Sequence, residues 1–465
     1  MTESFQQQLK KAASFFDSFS GPVKLVSHHD ADGICAAAIM VSLLNKKGLS
    51  YSISIIPQLD AAFLEDLAKE SYSNFIFTDL GSSQLQSMQN LFEGRNVIVL
   101  DHHQTKEYYT KEICHVNPHL FGINGSRDIS GAGVVYLMAR KVNSEIEKLS
   151  HLAVIGAIGD CQERNGFNGL NNEILDFAIK AGKIEVRESL RLFGAQTKPL
   201  TRLLKQNYDP YVPGVSGNFR GAINFLKDLG IETRANNKPR MLADLADSEL
   251  QRLTKALEEK ISPEKKKNLR GSVYIIPSES GAFSDAREFS TILNSCGRLE
   301  KATTGLAACL GDKRMKEKAE EVLKDYKKEL QDIVEWFKNN RGTSEIIEAE
   351  NYIIVNAKTR VMPSIAGTFA SIIAHSNEIQ KGTLVLTMSR NGDNTTKISL
   401  RIAGGSHGTD ADLNYLISRI TKTVGGEYGG HKNAAGALID SGSEEKFMQE
   451  AKRVFQETSI EERVY

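Results

Sequence analysis

Apolar positions along the first 180 residues alternate between two periods. The runs VKLVS (23–27), YSISII (51–56), FIFTDL (75–80) and VIVLD (97–101) are continuous or alternating and predict strands. Residues 3 to 19, ICAAAIMVSLLNKK (34–47), AAFLEDLAKE (61–70) and residues 82 to 92 carry the wider spacing of helices. Strand and helix in turn argue for βαβ units and a parallel sheet. Residues 130 to 181 read as three helices, SGAGVVYLMARKV, LSHLAVIGAIGD and LNNEILDFAIKAG, and complete a first domain near residue 195.

From 196 to 270 the pattern turns polar and helical, broken by DPYVPGVSG and SPEKKKN, as expected of an inserted helical module. SVYIIP (272–277) reads as a returning strand and SDAREFSTILNSCGR (284–298) as a helix that brings the chain back to the core. Ala319, Val322, Leu323, Tyr326, Leu330, Ile333, Val334 and Phe337 share one apolar face and predict a long helix over 312 to 340, ended by Arg341 and Gly342. Beyond it YIIV and TLVLTMS predict strands separated by the helix PSIAGTFASIIAH. Asn391-Gly392 is a hairpin turn into KISLRIA. The expected fold is α/β: a parallel-sheet domain over 1–195, a helical module over 196–270, a return with a long connecting helix over 271–341, and a smaller α/β domain over 342–465.

A chain of 465 residues exceeds one ordinary core, which agrees with two or three domains. Lys plus Arg and Asp plus Glu are both 58, so positive charge for nucleic acid must be local. Cys35, Cys114, Cys161, Cys296 and Cys309 form no CxxC pair, which fits a reducing compartment and argues against zinc. No run approaches the roughly 20 apolar residues of a membrane span, and the N-terminus lacks a signal-peptide core. The expectation is a cytoplasmic protein with no membrane contact.

Chemistry gathers where the predicted strands end. VKLVS runs into HHDADG (28–33), FIFTDL carries Asp79, VIVLD is followed by His102 and His103, and the helix LSHLAVIGAIGD ends at Asp160. In a parallel sheet the carboxyl ends of strands line one crevice, so these side chains are expected in one space. Asp30 and Asp32 would repel each other without cations; the plainer reading is a turn with a helix N-cap, a role also open to Asp32. Adjacent strand residues face opposite sides, and His28 has the parity of Asp30, so His28 is expected at the site and His29 in packing. Cys161, flanked by an apolar helix, is expected to be a packed thiol. Ser130, Gly131 and Gly133 with Arg127 form either an anion site or simply a helix start.

In the last domain VGGEYGGHKNAAGA puts four glycines before His431, leaving backbone N–H groups open to a phosphate. Ser399 and Arg401 alternate on the neighbouring strand and share a face. With Gly429, Gly430 and His431 they are the expected substrate clamp.

HHDADG, the lone Asp79, the DHH of 101–103 and the GDC of 159–161 resemble the DHH phosphoesterase superfamily, and most of all its archaeal RecJ-like nucleases of the GINS-associated type. GGEYGGHKNAAG resembles the signature of the DHH-associated domain, and SDAREFSTILNSCGR is similar to a stretch of the archaeal group. The resemblance covers most of the chain. It implies metal ligands His28, Asp30, Asp32, Asp79, His102 and Asp160, with Asp79 as the bridge, Asp101 orienting His102 or its loop, and His103 facing the scissile phosphate. Mixed imidazole and carboxylate ligands suit two Mn²⁺, with Mg²⁺ second. Such a pair clamps a phosphate and activates water for in-line attack.

The implied activity is an exonuclease that takes single-stranded DNA or RNA between the two domains and releases mononucleotides in replication or repair. Two alternatives come from the same superfamily: a phosphoesterase for oligoribonucleotides, cyclic dinucleotides or nucleoside bisphosphates, and a replisome scaffold that partners GINS.

Overall fold

The structure, a computed structural model, describes residues 3–105, 113–163, 166–207, 210–261, 263, 266, 269–376, 378–404 and 412–464. The chain divides into two units, Met1–Leu323 and Lys324–Tyr465.

The first unit opens with α1 (Glu3–Asp17), β1 (Val23–His28), α2 (Ala31–Lys46), β2 (Tyr51–Ile56), α3 (Ala61–Ala68), β3 (Asn74–Thr78), α4 (Leu85–Leu91), β4 (Asn96–Leu100) and β5 (Ile113–Val116). The five strands form one wholly parallel sheet in the order β2-β1-β3-β4-β5. Alternation along the strands divides the core. Leu25, Ile76 and Ile98 pack with α2 on one face, and Val26, Phe75, Phe77, Val97 and Val99 pack with α3 and α4 on the other. Both faces are covered, which is why the strands read as nearly continuous apolar runs. The short strand β5, ICHV, escapes the sequence reading because four residues carry too little periodicity.

Three helices follow, α5 (Gly131–Val142), α6 (Ser150–Gly159) and α7 (Gly169–Lys180). They join α2 in one apolar cluster, where the small residues Ala36, Ala37, Ala38, Ala132 and Ala153 let helices approach closely.

β6 (Glu185–Leu190) and β9 (Arg270–Ile275) pair antiparallel and enclose the inserted module. Within it lie α8 (Leu200–Lys205), α9 (Phe219–Asp228), a two-residue ladder of β7 (Arg234–Ala235) and β8 (Lys238–Pro239), and α10 (Asp247–Lys260). Leu203, Val215, Leu226, Leu253 and Leu257 give the module a core of its own. The chain then returns as expected: α11 (Ala286–Arg298) and α12 (Ala302–Cys309) bury Phe289, Ile292, Leu293 and Leu306 in the main core.

The long helix α13 (Lys313–Asn339) spans the division between the units. The second unit has a six-stranded mixed sheet of β10 (Ile346–Glu348), β11 (Tyr352–Asn356), β12 (Leu384–Arg390), β13 (Thr395–Ile402), β14 (Glu427–His431) and β15 (Ala434–Asp440), ordered β10-β11-β12-β13-β15-β14. The connection from β11 to the parallel β12 is α14 (Pro363–Ala374), and β12 turns into β13 at the expected hairpin. α15 (Leu413–Val424) and α16 (Glu444–Val464) complete the unit, with Leu416, Ile420, Phe447 and Phe455 packed on Leu386, Ile398 and Ala437. The glycine run at 425–430, expected to leave backbone N–H groups open to a phosphate, runs into the edge strand β14.

Among the described residues no helix is long and apolar enough to cross a membrane, and the five cysteines carry no disulfide. Cys161 departs from expectation: it lies exposed with a φ of 58° in the turn after α6, not packed in the core.

Candidate metal centre

Strand order reverses direction of growth at β1, which has β2 on one side and β3 on the other, and such a switch point opens a crevice at the strand carboxyl ends. The floor is a buried bond chain in which Thr78 Oγ1 donates to Ser27 Oγ (2.7 Å) and Ser27 Oγ donates to the Gly33 carbonyl (2.7 Å).

β1 ends at His28, and the chain turns at once into α2. Asp30, not Asp32, is the N-cap: its Oδ1 accepts from Gly33 N at 3.0 Å. Asp32, fully buried, turns to the N-terminus of α5, where its carboxylate accepts from Gly131 N (2.6 Å) and Ala132 N (3.0 Å). The anion at that helix start is therefore an internal carboxylate, as the helix dipole favours. Arg127, a candidate phosphate contact there, is paired with Asp128 at 2.8 Å on the surface.

Asp79 follows β3 in the left-handed region at φ 59°. A Cβ on Gly131 would lie 2.4 Å from Asp79 Oδ1, and one on Gly156 would lie 2.2 Å from Asp32 Oδ1. Glycine at these two positions is what lets α5 and α6 close over the carboxylates. Asp160 caps the end of α6.

Asp101, after β4, accepts from the backbone N–H groups of Ser82 (3.0 Å), His102 (2.8 Å) and His103 (3.2 Å), and from His103 Nδ1 at 2.8 Å. It orients His103 and the loop; the ring of His102 is held elsewhere, by Nδ1 donating to the Gly125 carbonyl at 2.7 Å.

Around Asp79 the side chains form two groups. His28 Nδ1 lies 2.9 Å from Asp30 Oδ2 and 3.5 Å from Asp79 Oδ2. His102 Nε2 lies 3.2 Å from Asp79 Oδ1, 3.2 Å from Asp160 Oδ2 and 3.7 Å from Asp32 Oδ2. His103 Nδ1 is 4.0 Å from Asp79 Oδ1. Each group brings at least three imidazole or carboxylate atoms within ligating reach of one another. Four buried atoms, His28 Nδ1, His102 Nε2 and both Asp79 oxygens, make no well-formed hydrogen bond. Leaving such groups unsatisfied costs about 1–3 kcal/mol each, and a divalent cation in each group would satisfy all four. The donor set fits.

The protonation pattern of the metal-free cluster follows from this crowding. Burial, then the charges of Asp79 and Asp160, push the Asp32 carboxyl well above its ordinary range, and burial raises Asp160 to about 7. Burial works against charge on His28 and His102, but Asp30 and Asp79, and Asp79 and Asp160, raise both well above 6.5. His103 reaches about 9: burial opposes it, and the Asp101 hydrogen bond together with the charges of Asp101 and Asp79 outweighs burial. Asp101 and Asp30 are held far below the carboxylate range despite burial, by His103 and His28 respectively.

His29 is outside both groups. Burial and the adjacent His28 push it down to about 4, and its carbonyl abuts Gly297 of α11 so closely that a Cβ there would lie 1.7 Å away. Asn294 of the same helix accepts from Ala31 N at 3.0 Å. α11 thus braces the loop that carries Asp30 and Asp32. His28→Ala is expected to weaken cation binding by at least about tenfold, the scale of a lost ligand or ligand support, and His29→Ala to change it far less. Calorimetry with Mn²⁺ reads the order, and the reverse order would overturn the assignment.

In the second unit, Ser399 pairs with Gly436, which pairs with Gly429, so these three form a row across β13, β15 and β14. Arg401 is on the same face of β13, its Nε donating to Ser371 Oγ (3.2 Å) and Nη1 to the Leu400 carbonyl (2.8 Å). Gly430 and His431 pair through their backbones with Ala435 and Ala434, and the His431 side chain lies outside the described residues.

Residues 22–159 match the DHH family N-terminal domain, residues 192–267 the DHH-CID domain and residues 350–457 the DHHA1 domain. The chain belongs to the DHH superfamily. An uncharacterized protein of Methanocaldococcus jannaschii is 28% identical to it over 444 residues, covering 94% of each. RecJ from Thermus thermophilus, solved in complex with Mn²⁺, matches with a TM-score of 0.60 at 16% identity over 97% of this chain and 55% of that one, so this chain spans about half its length. CDC45 from Entamoeba histolytica matches with a TM-score of 0.62 at 13% identity, over 97% and 99%. The DHH protein therefore has a RecJ-like fold, and its acidic clusters suit a divalent cation.

The residues that sequence reasoning missed are those that meet the site through the backbone or from far away. Gly156 and the Gly125 carbonyl left no chemical signature, and Asn294 lies 263 positions from Ala31. Ser82, His115 and Asn117 form a buried bond network under the loop of Asp101, with Asn117 Nδ2 donating to Ser82 Oγ and to the His103 carbonyl, both at 2.9 Å.

Proposed function

We propose that this protein is a metal-dependent phosphodiesterase, an exonuclease that degrades single-stranded DNA or RNA to mononucleotides in replication or repair. The observation that carries the reading is Asp79, one buried carboxylate whose two oxygens face two separate ligand groups without hydrogen bonds of their own. His28 and Asp30 would hold one cation and Asp32, His102 and Asp160 the other, with Asp79 shared. Mn²⁺ suits this donor set best. Two such cations, when bound, polarise the phosphate and activate water.

The remaining roles belong to the chain. Asp101 keeps the His103 ring oriented and charged, leaving Nε2 as the nitrogen offered to a phosphate oxygen. Asp32 stays deprotonated at its post once cations are present because two backbone N–H groups aim at it. Ser399, Arg401 and the Gly429–Gly436 row, with His431, are the proposed phosphate and sugar contacts.

The substrate is proposed to be single-stranded because a net charge of zero gives little grip along a duplex, and separated bases can enter a groove. End-labelled ladders of single-stranded and blunt duplex DNA and RNA with Mn²⁺ test this. Preference for the single strand by at least about tenfold is expected, with binding that weakens as salt rises. Equal cleavage of duplex at matched salt would count against it. Arg401→Ala is expected to raise KM more than it lowers kcat, since a contact made equally to bound substrate and transition state acts on binding.

The likeness in fold to CDC45 favours a second, compatible role: association with a replication complex of the GINS type. Co-elution with purified GINS, with and without the 192–267 module, would test it.

A further inference from the structure

Three neighbours in the turn after α6 face three different ways. Asp160 lies 3.2 Å from His102 Nε2. Gln162 Nε2 donates to the Gly125 carbonyl at 3.0 Å, the same oxygen that accepts from His102 Nδ1 at 2.7 Å, and Gln162 Oε1 accepts from Asn171 at 2.6 Å. Glu163, only 7% exposed, points away from the cluster and into a pair of guanidinium groups. Arg287 reaches its two oxygens at 2.9 Å each, and Arg191 pairs with Oε2.

Arg191 sits at the entry to the inserted module, and Arg287, on α11, contacts the strand that leaves it. Arg191 directly precedes residues 192–267, and Arg287 also donates to the Ser272 carbonyl at 2.8 Å in β9, the strand leading out. Beside Arg287, Glu288 is 2% exposed and accepts from Gly194 N (3.0 Å) and Thr197 Oγ1 (3.1 Å), the first turn of the module. The entry of the insert through Arg191, and its exit strand through Arg287, are thus linked by part-buried, charge-assisted bonds to a carboxylate three positions from Asp160. A buried ion triad adds little net stability over apolar packing, but breaking it on one side leaves an uncompensated charge, so it holds one register.

We propose that Glu163 is a positioning residue for the cation position formed by Asp32, His102 and Asp160, and that through it the geometry of that position depends on how the 192–267 module is seated. The path is short: module ends to Glu163, along the turn to Asp160, and through Gln162 and the Gly125 carbonyl to the His102 ring. Groups that support a metal ligand from behind change affinity by about 10- to 100-fold when removed. The inference rests on the two-cation reading for its metal consequence alone.

The test uses the full chain and two readouts. In the metal-free protein, the His102 Nδ1 proton is followed by NMR and assigned by its absence in His102→Gln. Calorimetry with Mn²⁺ then measures each binding event. Glu163→Gln and Arg191→Gln are both expected to shift or broaden the His102 resonance and to weaken one event by about 10- to 100-fold, leaving the other within about twofold. An unchanged resonance overturns the proposal, as does an equal loss of both binding events together with a lower Tm, the pattern of a merely structural role. If Glu163→Gln does not fold, Arg191→Gln, on the module side, decides by the same readouts. A wild-type chain that takes up a single cation would sink the two-cation reading, and the His102 resonance would still judge Glu163.

Discussion

Asp79→Ala is expected to lower phosphodiester hydrolysis by about a thousandfold or more while the chain still folds. The loss corresponds to several kcal/mol of transition-state stabilisation, the scale on which a bound cation acts. Both Asp79 oxygens lack a well-formed hydrogen bond, and the substitution relieves like-charge crowding with Asp32 while giving up the attraction of Asp79 for His28 and His102. One cost is local: at φ 59° alanine is strained by about 1 kcal/mol, whereas asparagine tolerates that conformation. Asp79→Asn separates the two effects. It should match Asp79→Ala in lost turnover yet keep a higher metal-free Tm than Asp79→Ala, since only the backbone strain differs. Wild-type turnover with Mn²⁺ in either variant would remove Asp79 from the site.

The metal-free protein is expected to lose stability as the pH rises from about 6.5 to about 8, and divalent cation to cancel that loss. The signs agree. His28 and His102 have pKa values raised above 6.5 by their carboxylate neighbours, so their contribution is complete below that pH and is lost as pH climbs through the raised values. Asp160, moved from 3.8 to about 7 by burial, stays protonated in the fold while the unfolded chain ionises, so its loss of stability runs from 3.8 to about 7 and ends inside that window. Three pH units on that one group amount to roughly 4 kcal/mol as an upper bound. Asp30 and Asp101, held low, work the other way as the pH falls toward strongly acid values, and His29, His115 and His151, pushed down to about 4 by burial, work the other way up to about pH 6.5, below that window. A Tm lower by on the order of 5 °C at the alkaline end is expected in chelator. With Mn²⁺ the cations take up the charge and displace protons, so the trend should flatten or invert. A metal-free Tm that rises over this range would contradict the cluster described here.

Much of the first unit was legible because its information is local. Strands such as FIFTDL and VIVLD are buried on both faces, so their apolar character does not depend on which helix covers them. HHDADG, Asp79, DHH and Asp160 follow directly on such elements. Once the sheet is parallel, the strands deliver their side chains to one end. Strand parity, together with the family resemblance, separated His28 from His29. The long helix and the Asn391-Gly392 hairpin were legible for the same reason, since period and turn chemistry are properties of neighbouring residues.

What the sequence by itself determined, then, is the set of side chains that meet in the crevice and the elements that present them. The tertiary structure decided what each one faces. Asp30 took the helix cap because it sits one residue before α2, and Asp32 went to the N-terminus of α5, a partner 99 positions away that no local pattern names. Arg127 fell to its neighbour Asp128, and the ring that Asp101 holds proved to be His103. The glycine run became an edge strand because β15 offered it a pairing partner. Hydrogen-bond partners at long separation are set by packing geometry, in which a missing Cβ at Gly131 or Gly156 counts as much as a charge. A linear pattern records residue types and their spacing, and it carries no record of which backbone will pass within bonding distance of them.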